Sequence, residues 1–154
     1  MVRLADLPAY EAEHLLAKEC PELGPAQWTE PPSPSARRVA LVTTAGIHCR
    51  DESAFDLSDA TYRVIPAETD PDGIVMSHTS VNFDRTGFQD DLNVVFPLER
   101  FRELAERGDI GSVADYHYSF MGAGLAPDQY EATARQLAGL MKREGVNTAF
   151  LTPV

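Results

Sequence analysis

Hydrophobic positions along the chain fall into short bursts separated by polar stretches, and their period switches between the strand pattern and the helix pattern. Val39, Ala40, Leu41 and Val42 form a continuous apolar run, as expected of a strand buried on both faces in a sheet covered by helices. Residues 61–66 (TYRVIP) read as a second strand, rich in β-branched and aromatic side chains, and Ile74, Val75 and Met76 as a third. Residues 146–154 (VNTAFLTPV) read as a last buried strand. Two helices lie between them. Residues 97–108 set Leu98, Phe101, Leu104 and Ala105 on one stripe, start on Pro97, place Glu103 four residues before Arg107 and close on Gly108. From Pro127 onward, Tyr130, Ala134, Leu137, Ala138 and Met141 form a second stripe; Lys142 and Arg143 suit the negative end of the helix dipole before Gly145 stops it. A helix followed by a strand is the second half of a βαβ crossover. The pattern therefore predicts an α/β fold: a mostly parallel sheet with flanking helices, three layers of the Rossmann or flavodoxin-like kind.

Two segments stand outside that scheme. Residues 8–20 carry a short helical pattern ended by Cys20-Pro21, and residues 21–35 hold five prolines with Trp28 among them, which resists regular structure. An N-terminal helix and a proline-rich arm (1–35) are thus expected ahead of the α/β domain (36–154). Trp28 is expected to anchor the arm on its own domain or on a sister subunit. Residues 50–60 are acidic and irregular, and residues 68–73 form a turn by composition. The chain stops at the exit of its last strand, so the domain is expected to be incomplete at that end.

Composition narrows the class. With 154 residues, 44% hydrophobic and 24% charged, the chain suits one domain with a real core. No apolar run approaches a bilayer span or a signal segment, which predicts a cytoplasmic protein. A net charge of -11 argues against nucleic acid and anionic membrane as partners, since both demand clustered Lys and Arg. Cys20 and Cys49 lie far apart with no companion spacing, so free thiols are expected, with neither a disulfide framework nor a metal site.

The chemistry gathers where strands end, which is where ligands collect in open α/β sheets. After the first strand come Thr43, Thr44, Ala45 and Gly46, then Ile47, His48 and Cys49; after the third come Ser77, His78, Thr79 and Ser80, then Asn82 and Asp84. This makes His48, His78 and Cys49 the candidate catalytic residues, and Thr43, Thr44, Gly46, Ser77, Asp84 and His117 the candidate substrate contacts. The plainer alternatives are solvated histidines, a half-buried thiol and an aspartate capping a turn. Residues 110–124 (IGSVADYHYSFMGAG) read either as a pocket wall or as core aromatics between two helices.

Taken in order, VALVTTAGIHC, YRVIPAET, SHTSVNFD, NVVFPLERFRELAERGDIGS, HYSFMG and EGVNTAFLTPV resemble the N-terminal part of selenoprotein B in the glycine, sarcosine, betaine and D-proline reductase family. The resemblance runs from about Ala36 to Val154. It implies a subunit, or the front part of one, that reductively cleaves a carbon–nitrogen bond of an amino acid or related small amine. In the family a phrase like Leu151-Thr152-Pro153-Val154 is followed at once by the redox residue, a selenocysteine or sometimes a cysteine, with a resolving cysteine close behind. The resemblance therefore implies that a selenocysteine codon, UGA, stands after Val154 and that no cofactor belongs to residues 1–154 themselves. It also implies a partner subunit bearing a pyruvoyl group.

A selenol ionises at neutral pH and attacks carbon as an anion, after which a thiol attacks the selenium. His48, His78 and His117 would then stabilise that anion or protonate the leaving group. Two other readings stand: a non-catalytic small-molecule-binding or scaffolding domain of a multisubunit complex, and an independent enzyme using His48 and Cys49 as a dyad. A last strand left as an open edge predicts a dimer or larger species.

Overall fold

The computed structural model describes residues 3–18, 24–25, 28–80 and 85–154. A short helix α1 (Ala9–Leu16) comes first and buries none of its residues. Trp28, expected to anchor the arm, is 92% exposed and so is not packed into the α/β core among the described residues.

The sheet is built on β1 (Arg38–Thr43), whose Val39, Ala40 and Leu41 are almost completely buried. The remaining strands are β2 (Ile47–Cys49), β3 (Arg63–Pro66), β4 (Ile74–Met76), β5 (Ser112–Val113), β6 (Tyr116–Ser119) and β7 (Thr148–Thr152). β1 pairs in parallel with β7 on one side and with β5 and then β6 on the other. β3 adds to β6 in the antiparallel sense, while β2 and β4 form a separate antiparallel ribbon. This corrects the expectation of a mostly parallel, Rossmann-like sheet. The architecture is α/β, but the sheet is mixed, because the chain passes from β1 to β3 without a helical crossover and β3 runs against β6 and β1.

Two apolar clusters explain the unbroken hydrophobic run of β1. Leu41 and Ile65 pack on one face with Ile47 and Ile74 of the ribbon and with Val95, Phe96 and Leu98. Ala40, Tyr118 and Phe120 pack on the other with Leu137 and Val146. The first face is covered by the ribbon, a short helix α2 (Thr86–Asp90) and α3 (Leu98–Glu106). The second is covered by α4 (Glu131–Arg143). Both long helices end as the pattern requires, on Gly108 and Gly145. The expected Glu103/Arg107 pair is replaced by two others: Glu103 meets Arg100 at 3.0 Å and Arg107 meets Asp109 at 2.8 Å. On α4, Leu137 is buried but Ala134 and Ala138 are exposed, so the inward stripe is narrower than predicted.

β7 departs most from its sequence reading. Its hydrophobicity predicts a buried strand, yet Phe150 is 41% and Leu151 66% exposed. Among the described residues it pairs only with β1, so its outer edge is open.

Candidate functional site at the strand exits

The exits of β1, β6 and β7 lie side by side. Beyond β1, the Gly46 N–H donates to the Phe120 carbonyl at 2.9 Å and the Gly122 N–H to the Thr44 carbonyl at 3.0 Å, so the two exits continue as a short antiparallel pairing. The Thr44 N–H donates to the Thr152 carbonyl at 3.1 Å, and the Val154 N–H donates to the Thr44 hydroxyl at 2.8 Å. Thr44 therefore joins all three exits. Gly122 permits this approach, since a Cβ there would stand 2.8 Å from the Thr44 side chain.

The predicted hydroxyls of Thr43 and Ser77, and that of Ser119, which was not predicted, also lock backbone. Thr43 accepts from the Ala45 N–H at 3.2 Å and is fully buried. Ser77 accepts from the Phe55 N–H at 2.8 Å, and Ser119 from the Ile47 N–H at 3.0 Å. Their first task is to hold the turns that shape the exits.

Gly46 is the pivot of the turn into β2. Its φ of 64° lies in the left-handed region, and a Cβ added there would stand 3.0 Å from the His78 Cα. The Ser77 N–H donates to the Gly46 carbonyl at 2.9 Å, which carries the ribbon pairing beyond β4 and brings the His78 backbone alongside the β1 exit.

The histidines occupy three different environments. In the ribbon register His48 lies opposite Val75, three residues before His78, so the pleat sends the two imidazoles to opposite faces. His48 is 4% exposed, points its Nδ1 at the Cys49 carbonyl (2.8 Å) and meets the Phe55 ring edge-on at 6.2 Å. A carbonyl only accepts, so Nδ1 carries the proton and the lone pair sits on Nε2. The Phe55 ring is in turn capped by the Arg63 guanidinium at 4.2 Å, and Arg63 pairs with Asp59 at 2.8 Å. His78 is buried beside the exits, with its Nδ1 accepting from the Ser80 N–H at 3.2 Å and its carbonyl accepting from Arg85. Burial, and then the Arg85 charge, lower its pKa.

His117 plugs a defect in the sheet. β1 advances three residues from Val39 to Val42 while its partner advances five from Val113 to Tyr118, so the partner strand bulges. The Asp115 carbonyl turns away to the Ala67 N–H, and the Leu41 N–H donates instead to His117 Nδ1 at 3.1 Å. The fully buried imidazole lies edge-on to Phe96 at 5.6 Å. Burial, then the Arg102 charge, with Asp115 opposing and Arg38 adding a smaller push, lowers its pKa to about 4. A neutral ring acting as a backbone acceptor has a structural task.

Cys49 lies on the face of β2 opposite His48. Its thiol has Thr69 Oγ1 4.0 Å away, and burial pushes its pKa up, with the charges of Glu52 and Asp51 adding to the rise. Asp84 and Cys20 lie outside the described residues. Among the described residues no three His, Cys, Asp or Glu side chains come together as a metal site, and no helix is long and apolar enough to cross a membrane.

The structure thus gathers Thr43, Thr44, Gly46, Ser77 and the His78 backbone at the exits and leaves His48, Cys49 and His117 apart from one another. The pocket beside Thr44 is lined by Phe120, Met121 and Gly122 from the segment read as either a pocket wall or core aromatics, together with Leu125 and Tyr130, which the sequence pattern does not assign to a pocket. Its only sequence signal was the glycine-flanked aromatic segment.

Residues 33–154 match the profile of the glycine/sarcosine/betaine reductase selenoprotein B (GRDB) family. D-proline reductase subunit gamma of Acetoanaerobium sticklandii is 35% identical over 116 residues, covering 74% of this chain and 47% of that protein. Glycine reductase complex component B subunit gamma of Symbiobacterium thermophilum is 31% identical over 144 residues, covering 79% of this chain and 30% of that protein. Betaine reductase complex component B subunit beta of Peptoclostridium acidaminophilum is 30% identical over 123 residues, covering 77% of this chain and 28% of that protein. The chain therefore spans about half the length of the first and under a third of the other two. No solved structure matches it.

Proposed function

We propose, from the premise that this chain belongs to the glycine/sarcosine/betaine reductase selenoprotein B family, that it works within a multisubunit reductase that cleaves a carbon–nitrogen bond of a small amine or amino acid. The observation that carries the reading is the family match over residues 33–154. In this reading the redox selenol or thiol directly follows Val154; when present it supplies the nucleophilic anion and the reducing electrons.

The chain's own residues supply the mounting. Thr44 fixes the backbone at Val154 through its hydroxyl, and the Gly46 turn holds the His78 segment beside it. His78, its pKa lowered by burial and by Arg85, is neutral at pH 7 and is the imidazole best placed to exchange a proton at the exits. The pyruvoyl carbonyl that activates the amine belongs to a partner subunit in this scheme.

The test is an assay of the protein read through the codon after Val154, assembled with its partner subunits, using glycine, sarcosine, betaine and D-proline in turn. Consumption of one substrate with matching oxidation of a dithiol is expected. No turnover of any of the four, with the complex shown to be assembled, overturns the reading.

One observation favours a second reading, a binding or scaffolding domain without chemistry of its own. The Cys49 thiol has a raised pKa, and the exit hydroxyls are committed to backbone. In that case the assembled complex keeps its activity when Cys49, His48 and His78 are replaced one at a time.

A further inference from the structure

The first helix finds no cover in its own chain. α1 buries none of its residues, and Leu15 and Leu16 stand 46% and 71% exposed. An isolated helix needs about 12–15 residues to hold in water, and α1 has 8. At ~100° per residue, Ala9, Ala12, Leu15 and Leu16 fall on one face, with Glu11 and Glu13 on its two flanks and Tyr10 on the far side. An apolar stripe bordered by carboxylates is shaped to lie against another surface. The family match begins at residue 33, so this helix lies outside the shared domain.

The domain carries a bare face that matches it. Val42 packs in the cluster under α4 and pairs with Leu151 in parallel register, so Leu151 and, two residues before it, Ala149 point to the α4 side of the sheet. α4 covers β1 and β6 on that side but leaves β7 open, with Ala149 exposed and Leu151 66% exposed. Along α4, Ala134, Ala138 and Lys142 follow one another at i,i+4 on one exposed flank. Ala134 lines a pocket with Thr44, which is bonded to Val154, so that flank looks toward β7. Alanines there let a second helix come close, and Lys142 makes no ion pair among the described residues. Between α4 and β7 lies a trough with an apolar floor and a cation on its wall.

We propose that this trough receives α1 of a second copy, the apolar face of the helix on Leu151, Ala134 and Ala138 and a flanking glutamate beside Lys142. Two copies that exchange arms close a dimer, each supplying the helix that covers the other's β7. Residues 17–37 connect α1 to β1 and are rich in proline. Extended at ~3.1 Å per residue they span ~65 Å, against a radius of gyration of ~13 Å for a domain of about this size, so the arm reaches a neighbour. In its own chain the helix leaves Leu15 and Leu16 bare, and the trough is left to the neighbour's arm. The docked helix lies over the face of β7 and leaves its edge free. None of this depends on the reductase reading.

An equimolar mixture of methyl-labelled and unlabelled 154-residue chain is read by isotope-filtered NOEs. Contacts from the Leu15 and Leu16 methyls of one copy to the Leu151 and Ala138 methyls of the other are expected. In sedimentation equilibrium Leu16→Asp should weaken self-association roughly tenfold, the scale of losing one buried leucine. The fold itself is untouched by that change, because Leu16 is exposed in its own chain. Lys142→Glu should weaken association about threefold, and Glu11→Lys with Glu13→Lys in the same chain should restore it. Tyr10→Asp, on the far side of α1, should leave it unchanged. Contacts that arise only within one copy, no contacts at all, or association indifferent to Leu16→Asp overturns the proposal.

Discussion

The Thr44 hydroxyl accepts the Val154 backbone N–H at 2.8 Å, so a side chain from one parallel strand exit holds the end of another. Replacing Thr44 with Val keeps the shape and removes the acceptor. A net loss of ~1 kcal/mol is expected, the usual worth of such a bond, with more if the freed N–H stays dry. Amide exchange at Val154 should rise about fivefold, since 1 kcal/mol corresponds to roughly that factor, while amides in the centre of β1 stay unchanged. Thr44→Ser should restore protection. Unaltered exchange at Val154 in the valine variant would show that the tie carries no energy.

His117 makes stability depend on pH in a predictable direction. Its folded pKa of about 4 lies below the ordinary 6.5, so between those values the unfolded chain binds the extra proton and the folded protein does not. The stability from the neutral ring is complete above pH ~6.5, declines as the pH falls, and is fully lost below about 4, a swing on the order of 3 kcal/mol. Carboxylates also titrate toward the acid end, so the diagnostic quantity is the difference between wild type and His117→Gln, which does not titrate. Urea midpoints measured from pH 7 to pH 4 should converge for the two proteins as the pH falls. Parallel curves would mean that His117 titrates normally.

What the sequence could and could not foretell follows from which signals are local. β1, β3, β4, α3 and α4 announce themselves through apolar period and glycine stops, and all appear close to their expected places. The sheet's sense does not, because whether β3 runs with or against β6 depends on the path of the chain between them. β2, β5 and β6 were hidden for a different reason. They are two to four residues long, and β6 interleaves Tyr and Ser with a histidine whose side chain does backbone duty, which erases the alternation. At the site, the identity of the exit loops was legible, but the pleat that parts His48 from His78 was not, because it depends on the pairing register.

The open edge of β7 should drive association. Thr148–Thr152 carries no charge, no proline and no bulge, the devices that usually blunt an edge strand, and it exposes Phe150 on one face and Leu151 on the other. Antiparallel pairing of two β7 strands about Phe150 would set Thr148 opposite Thr152 and Ala149 opposite Leu151, a self-complementary register. Sedimentation velocity of the 154-residue chain should show the dimer fraction growing with concentration. Leu151→Lys should return it to monomer, and it spares the Phe101–Phe150 contact at 4.8 Å. A monomer at every concentration tested would mean that the edge is protected by something other than its own sequence.

Cys49 offers the sharpest separation of chemistries within the chain. A nucleophilic dyad requires a thiolate at neutral pH beside a basic nitrogen, but here the His48 Nδ1 proton goes to a carbonyl, and burial together with Glu52 and Asp51 disfavours the thiolate. Alkylation by iodoacetamide at pH 7 should therefore be slower than for a free cysteine, with its rate still climbing above pH 9. His48→Ala should leave that profile in place, because the ring does not bear on the sulfur. Glu52→Gln should shift it slightly toward lower pH, because removing a carboxylate eases ionisation and frees the Cys49 N–H of its 3.1 Å acceptor charge. A rate plateau near pH 7 that disappears with His48→Ala would instead establish the dyad and move the centre of the chemistry away from the β7 exit.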